Sequence, residues 1–316
     1  MNTKSPLTLL QIVNHIIQAH PELTTEIARI FYNNKLQDID KRISGSIKFQ
    51  ELLDIVSKIG LDNSFAGEYS ALETIASKAG IKHGYCVDIG AGDGINQSST
   101  HGFLIRQGWT GLVIEMDSVD FGKLAYVYSD FPHILLSKST VSPNNISTIL
   151  KFYAVPHDFD ILNVDIDSYD LDVVDSMLAA NYKPKIMSME INEKIPPPIY
   201  FSVNYDPAYS SAKDHFYGCS ITAATKVVKP HGYILHSVVY NNAIFVRADI
   251  AYGLFTDADI SLAYDVGYRS KPDRQQLFYW NKDVDSFLNY ENPSLLIEAI
   301  SNYFIKYSGK YKLFIS

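Results

Sequence analysis

The densest chemistry in the chain lies in short stretches rich in acids. Asn163-Val164-Asp165-Ile166-Asp167-Ser168-Tyr169-Asp170 places Asp165 and Asp167 two residues apart. While the chain stays extended, both carboxylates point to one face. Two such groups repel unless a cation or a hydrogen-bond donor lies between them. The pair therefore suits Mg²⁺ binding, deprotonation of a hydroxyl, or a grip on substrate. A competing reading is a capped helix start, with one acid at the N-cap and the others in the first turn. Glu190 and Asn192 repeat the two-residue spacing in Glu190-Ile191-Asn192, and adjacent strands would bring them to the aspartates. His215 is a candidate base, set against the commoner role of a hydrogen-bonded surface histidine.

A further stretch, Tyr85 to Thr100 (YCVDIGAGDGINQSST), offers a ligand bare backbone. Cys86, Val87 and Ile89 surround Asp88, and Gly90, Gly92 and Gly94 follow at alternate positions. An apolar run bounded by glycines reads as a buried parallel strand ending in a tight turn. Glycines there admit positive φ and let a ligand lie against the main chain. Residues Asn96 to Phe103 are expected to open a helix whose first N–H groups face the same ligand. A dinucleotide fingerprint would need its third glycine where Ile95 stands. Asp88 either anchors the turn or meets a ligand amino group, and Asp93 does the same or faces solvent. Glu115 closes Gly111–Glu115 about 25 residues past Gly90, placed to accept hydrogen bonds from two ribose hydroxyls. Its alternative is a helix N-terminal acid.

The elements that must hold these residues alternate. Strands are expected at Tyr85–Ile89, Gly111–Glu115, Ile134–Leu136, Asp160–Asp165 and Lys185–Glu190, with helical patterns between them. That rhythm implies a mostly parallel sheet with right-handed crossovers. After a helix at Ser220–Lys229, stopped by Pro230, Gly232–Val239 and Ala243–Arg247 are separated only by Tyr240-Asn241-Asn242. This spacing makes a hairpin whose last strand runs antiparallel to its neighbour. Pro196-Pro197-Pro198 is a stiff segment able to wall a cleft. Residues 1–65 read as a helical extension, with Leu7, Leu10, Val13, Ile16 and Ile17 on one face. Residues 66–250 form the α/β domain. Residues 251–316 form a C-terminal helical cap, with Pro293 to Ile305 its clearest helix.

The 316 residues carry a net charge of −8 and no lysine/arginine block, which argues against a polyanionic partner such as nucleic acid. Two cysteines, no CxxC and no HExxH disfavour a disulfide framework and a zinc site, and fit the cytoplasm. The apolar residues near the start are broken by polar ones, so neither a signal peptide nor a membrane span is expected.

Taken in order, several blocks resemble the FkbM-like branch of class I S-adenosyl-L-methionine (SAM) methyltransferases. They are VDIGAGDGINQSST, GWTGLVIEMD (108–117), VSPNNI (141–146), DFDILNVDIDSYD (158–170), KPKIMSMEIN (183–192), FYGCSITAATKVVKPHGY (216–233) and NNAIFVR (241–247). The resemblance implies a Rossmann-like fold closed by an antiparallel edge hairpin. It also implies a SAM site at Asp88, Gly90, Gly92, Asp93, Gly94, Ser98, Glu115, Met116 and Ser139. The activity implied is O-methyl transfer to a sugar, glycan or related natural product, with Asp165, Asp167 and Glu190 catalytic and a candidate Mg²⁺ site. Ser168 departs from the D-I-D-G common in that family, which implies a stiffer loop and a different acceptor pocket. A nicotinamide-dependent oxidoreductase and a non-catalytic scaffold are the alternatives. Pairing of subunits through the flanking helices is a further expectation.

Overall fold

The computed structural model describes residues 62–208 and 214–316. The helices expected between residues 5 and 59 lie outside them. Seven strands form one sheet: β1 (Tyr85–Ile89), β2 (Thr110–Glu115), β3 (Ile134–Lys138), β4 (Ile161–Val164), β5 (Ile186–Glu190), β7 (Tyr233–Val239) and β8 (Asn242–Arg247). Their order is β3-β2-β1-β4-β5-β8-β7. β1 to β5 pair in parallel, and β8 is antiparallel to both β5 and β7. The expected hairpin therefore folds its second strand inward, leaving β7 at the edge. β4 and β5 are buried along their whole length, as strands covered on both faces must be.

Helices α1 (Glu68–Lys78), α2 (Ser118–Val127), α3 (Ile146–Phe152), α4 (Asp170–Ala179) and α5 (Ile221–Val228) cover the sheet. Asp117 caps α2 by accepting from the N–H groups of Val119 and Asp120 at 2.7 and 3.0 Å, and Ser220 caps α5 through Ala223 N–H. The strand order with its inserted antiparallel strand is that of a Rossmann-like methyltransferase fold.

Two local expectations change. No α-helix starts at Asn96. The Asp93 carboxylate takes the N–H groups of Ile95 and Asn96 at 3.0 and 2.7 Å, and the Thr100 hydroxyl turns inward to Asp88. Side-chain partners of this kind compete with helical hydrogen bonds. A short π-helical turn at Gly102–Arg106 follows instead. The proline run also does not wall the cavity described below; it leads into β6 (Ile199–Val203). β6 pairs antiparallel with β9 (Tyr311–Ile315) in a separate two-stranded sheet.

The C-terminal segment is built from short helical turns and α6 (Pro293–Tyr303) before β9. Tyr264, Tyr268, Phe278, Leu296, Ile300 and Phe304 bury their side chains in the same apolar cluster as β4 and β5. Phe314 of β9 stacks on Tyr200 at 4.3 Å, and Tyr311 packs on Phe201 at 5.6 Å. Removing residues 310–316 is expected to cost roughly 2 kcal/mol in lost stacking and pairing. A melt followed by circular dichroism should show a drop of about 4–8 °C; an unchanged midpoint would contradict the role given to β9.

Candidate active site

A cavity of about 460 Å³ opens at the carboxyl ends of β1, β2 and β4. The strand order reverses between β1 and β4, where ligands of open α/β sheets bind. Asp88, Gly90, Gly92, Ser98, Glu115, Met116 and Ser139 line it, as do Asp165 and Asp167. Asp93 and Gly94 are not among its lining residues.

The three glycines have different jobs. All have positive φ, at 87°, 55° and 78°. A Cβ on Gly90 would lie 1.7 Å from the carbonyl oxygen of Asp165, and one on Gly94 2.8 Å from the Tyr128 ring. Both positions are set by packing within the protein. A Cβ on Gly92 meets nothing within 4 Å, so this glycine leaves a side-chain-free wall facing the cavity. Glu115 braces the bend, accepting from Gly92 N–H at 2.8 Å and from Asp117 N–H at 2.6 Å. Each carboxylate oxygen keeps acceptor capacity for a ligand. Asp88 is buried and bound to the Thr100 hydroxyl at 2.5 Å and the Asn163 amide at 2.9 Å. Burial pushes its pKa up, against the pull of those two donors.

Beside this wall, Asp165, Asp167 and Glu190 each bring one carboxylate oxygen within 4.8 Å of the others. β4 ends at Val164, and Asp165 N–H still bonds to Ile89 C=O at 3.0 Å. The chain then bends. Asp170 accepts from Ile166 N–H at 2.8 Å and Ser168 N–H at 3.1 Å. Asp167 takes the left-handed conformation, with φ 54°. The strained residue of this loop is therefore the aspartate itself, and Ser168 is not among the positive-φ positions. The capped-helix reading changes: Tyr169, not an acid, stands at the N-cap of α4 with no side-chain cap, and Asp170 instead ties down the loop before the helix while Asp165 and Asp167 approach Glu190. On Glu190, Oε1 accepts from the Asn241 amide at 3.2 Å, whereas Oε2 is buried with no partner among the described residues.

Crowding shows in the ionisation of these acids. Burial, then the charges of Asp167 and Asp170, push Asp165 well up. Burial, then Asp165 and Asp167, do the same to Glu190. Asp170 is raised to about 6, chiefly by burial. Burial raises Asp167 as well, opposed by the charge of Lys194.

Lys194 is a residue that motif reading missed. Its buried ammonium lies 3.1 Å from both Glu193 oxygens and 2.5 Å from the Tyr217 hydroxyl. The adjacent opposite charges Glu193-Lys194 after E-I-N were the available signal. Asn192 does not join the acids; its amide donates to the carbonyls of His215 and Tyr217, both at 2.9 Å. His215 pairs with Asp283 at 3.1 Å, away from the cavity, and burial lowers its pKa.

No protein-family model and no curated protein sequence matches the chain. Solved structures similar to it include methyltransferases. One is the N-terminal domain of EvdMO1 in the presence of SAH and D-fucose (8% identity, TM-score 0.37, covering 57% of this chain and 82% of that one). Another is a SAM-dependent methyltransferase from Clostridium acetobutylicum ATCC 824 (10%, 0.37, 63% and 97%). The METTL16 methyltransferase domain is a third (13%, 0.29, 42% of this chain); the chain spans 59% of that domain. Among the described residues, no helix is long and apolar enough to cross a membrane.

The raised carboxylates predict a signed pH effect. The native state holds protons that an unfolded aspartate, with a pKa near about 4, releases. Stability from this source is full below about pH 4 and is lost as pH rises, through about 6 for Asp170 and in the same direction for Asp165 and Glu190. Asp165→Asn should therefore gain stability over wild type on going from pH 5 to pH 8. Urea unfolding at the two values tests this, and an equal difference at both would contradict it.

Proposed function

We propose that the chain is a SAM-dependent O-methyltransferase of the FkbM-like kind, acting on a hydroxyl of a sugar, glycan or related natural product. The observation that carries this reading is the open wall at Gly92, facing Glu115 in a cavity that continues to Asp165 and Asp167. Glu115 accepts the ribose hydroxyls, Met116 and Ser139 flank the base, and Ser98 and Asp88 lie toward the methionine end. SAM supplies a methyl group already activated on a sulfonium, so alignment of the acceptor along that axis does much of the rest.

Asp165 or Asp167 takes the proton that the acceptor hydroxyl loses as its oxygen gains the methyl group. With Glu190 they also present hard oxygen donors suited to Mg²⁺. The unpartnered Glu190 Oε2 and the mutual repulsion of the three acids fit such an ion. A divalent cation held by Asp165, Asp167 and Glu190 would supply stabilisation of negative charge on the acceptor oxygen. The lining carries five acids (Asp88, Glu115, Asp120, Asp165 and Asp167) and no lysine or arginine. That lining favours a neutral acceptor over a phosphate-rich one such as RNA.

Calorimetry should detect SAM binding, and NAD should give none. Gly92→Val fills the space the ligand needs and is expected to weaken SAM by about 100-fold or more; undiminished affinity would remove the ligand from this wall. Asp167→Asn should leave SAM affinity within about twofold and lower kcat by about 10²- to 10³-fold on a competent acceptor. Normal turnover would take Asp167 out of the reaction.

A further inference from the structure

Glu68 opens α1, outside every stretch singled out for chemistry, yet it is fully buried. Oε2 accepts from the Ala66 N–H at 2.8 Å, and Oε1 accepts from the Asn242 amide at 3.3 Å. The same Asn242 Nδ2 lies 3.5 Å from Asn241 Oδ1. The Asn241 amide in turn donates to Glu190 Oε1 at 3.2 Å. Asn242 stands opposite Glu190 in the β5–β8 ladder, and its Oδ1 accepts from the Ser188 hydroxyl at 3.4 Å. A line of amides thus runs from one buried carboxylate to another. It ends on one oxygen of Glu190 and leaves the other, Oε2, buried with no partner among the described residues, in a carboxylate of which one oxygen lies within 4.8 Å of Asp165 and Asp167 oxygens.

We infer that Glu68 is a positioning residue, which through Asn242 and Asn241 fixes the Glu190 carboxylate so that Oε2 is the oxygen presented to a divalent cation. This rests on the reading of Asp165, Asp167 and Glu190 as a cation site. Amide groups can donate to either carboxylate oxygen, and a freely rotating Glu190 has no reason to keep one oxygen bare. Glu68 removes that freedom by orienting Asn242: its carboxylate only accepts, so the Asn242 NH₂ must face it and the Asn242 carbonyl must face Ser188. The Asn241 carbonyl then turns to the Asn242 NH₂ and its own NH₂ to Glu190. Outer groups that orient ligands in this way commonly change metal affinity by about 10- to 100-fold.

The test is Mn²⁺ binding to the full chain, followed by electron paramagnetic resonance without acceptor or turnover. Wild type is expected to bind. Glu68→Gln places an NH₂ in the buried site where only acceptors fit, and Asn241→Ala removes the last link at a partly exposed turn position. Each should weaken Mn²⁺ by about 10- to 100-fold while SAM affinity stays within about twofold. If Glu68→Gln fails to fold, Asn241→Ala carries the test. Wild-type Mn²⁺ affinity in the folded variants would overturn the relay while leaving the cation site in place. Absence of Mn²⁺ binding by wild type would overturn the cation site itself, and the relay with it.

Discussion

The site depends on one close approach. The bend after β1 passes so near the end of β4 that a Cβ at residue 90 would sit 1.7 Å from the Asp165 carbonyl. No side chain fits in that gap, so glycine is obligatory where the two strands hand over to their loops. The contact sets the distance between the open wall at Gly92 and the acids at Asp165 and Asp167. Glu115 finishes the job from the other side, its carboxylate pinning Gly92 N–H. Cavity, wall and acids are thus one construction, built on the carboxyl ends of adjacent parallel strands.

Charge supplies the second constraint. Asp165, Asp167 and Glu190 converge, with Asp170 buried behind them. Lys194 is the cation that bears on Asp167, but its ammonium is already engaged by both Glu193 oxygens. Glu193 also takes the Tyr217 hydroxyl at 3.0 Å and the Asn281 amide at 2.6 Å. The three converging acids are left to be neutralised by protons or by an added cation. Removing Glu193 would strand Lys194 rather than improve the balance, which is why the pair and the acids belong to one electrostatic unit.

Much of this was legible along the chain because the signals are local. An apolar run bounded by glycines marked β1, runs ending in acids marked β2, β4 and β5, and the short spacing between 239 and 243 marked the hairpin. The Asp165–Asp167–Glu190 meeting followed from placing β4 beside β5. What was hidden is non-local. β6 looks like an ordinary apolar run after three prolines, and its partner β9 lies more than a hundred residues away. Glu68 sits in an amphipathic helix where an acid in the first turn reads as solvated; only its packing against the sheet end reveals a buried carboxylate. The loop at Asn96 misled for a different reason. Asp93 and Asp88 draw the neighbouring donors to themselves, a competition that hydrophobic periodicity does not register.

The central claim is that the Gly92 wall and Glu115 together receive the nucleoside of SAM, with its reactive end directed to Asp165 and Asp167. A crystal structure grown with S-adenosylhomocysteine tests it most directly. The expected result is ribose density against the Glu115 carboxylate, main-chain contact at Gly92, and the sulfur on the Asp167 side of the cavity. A nucleoside bound anywhere else, or a bend at Gly90–Gly94 closed over the cavity with ligand present, would contradict the account.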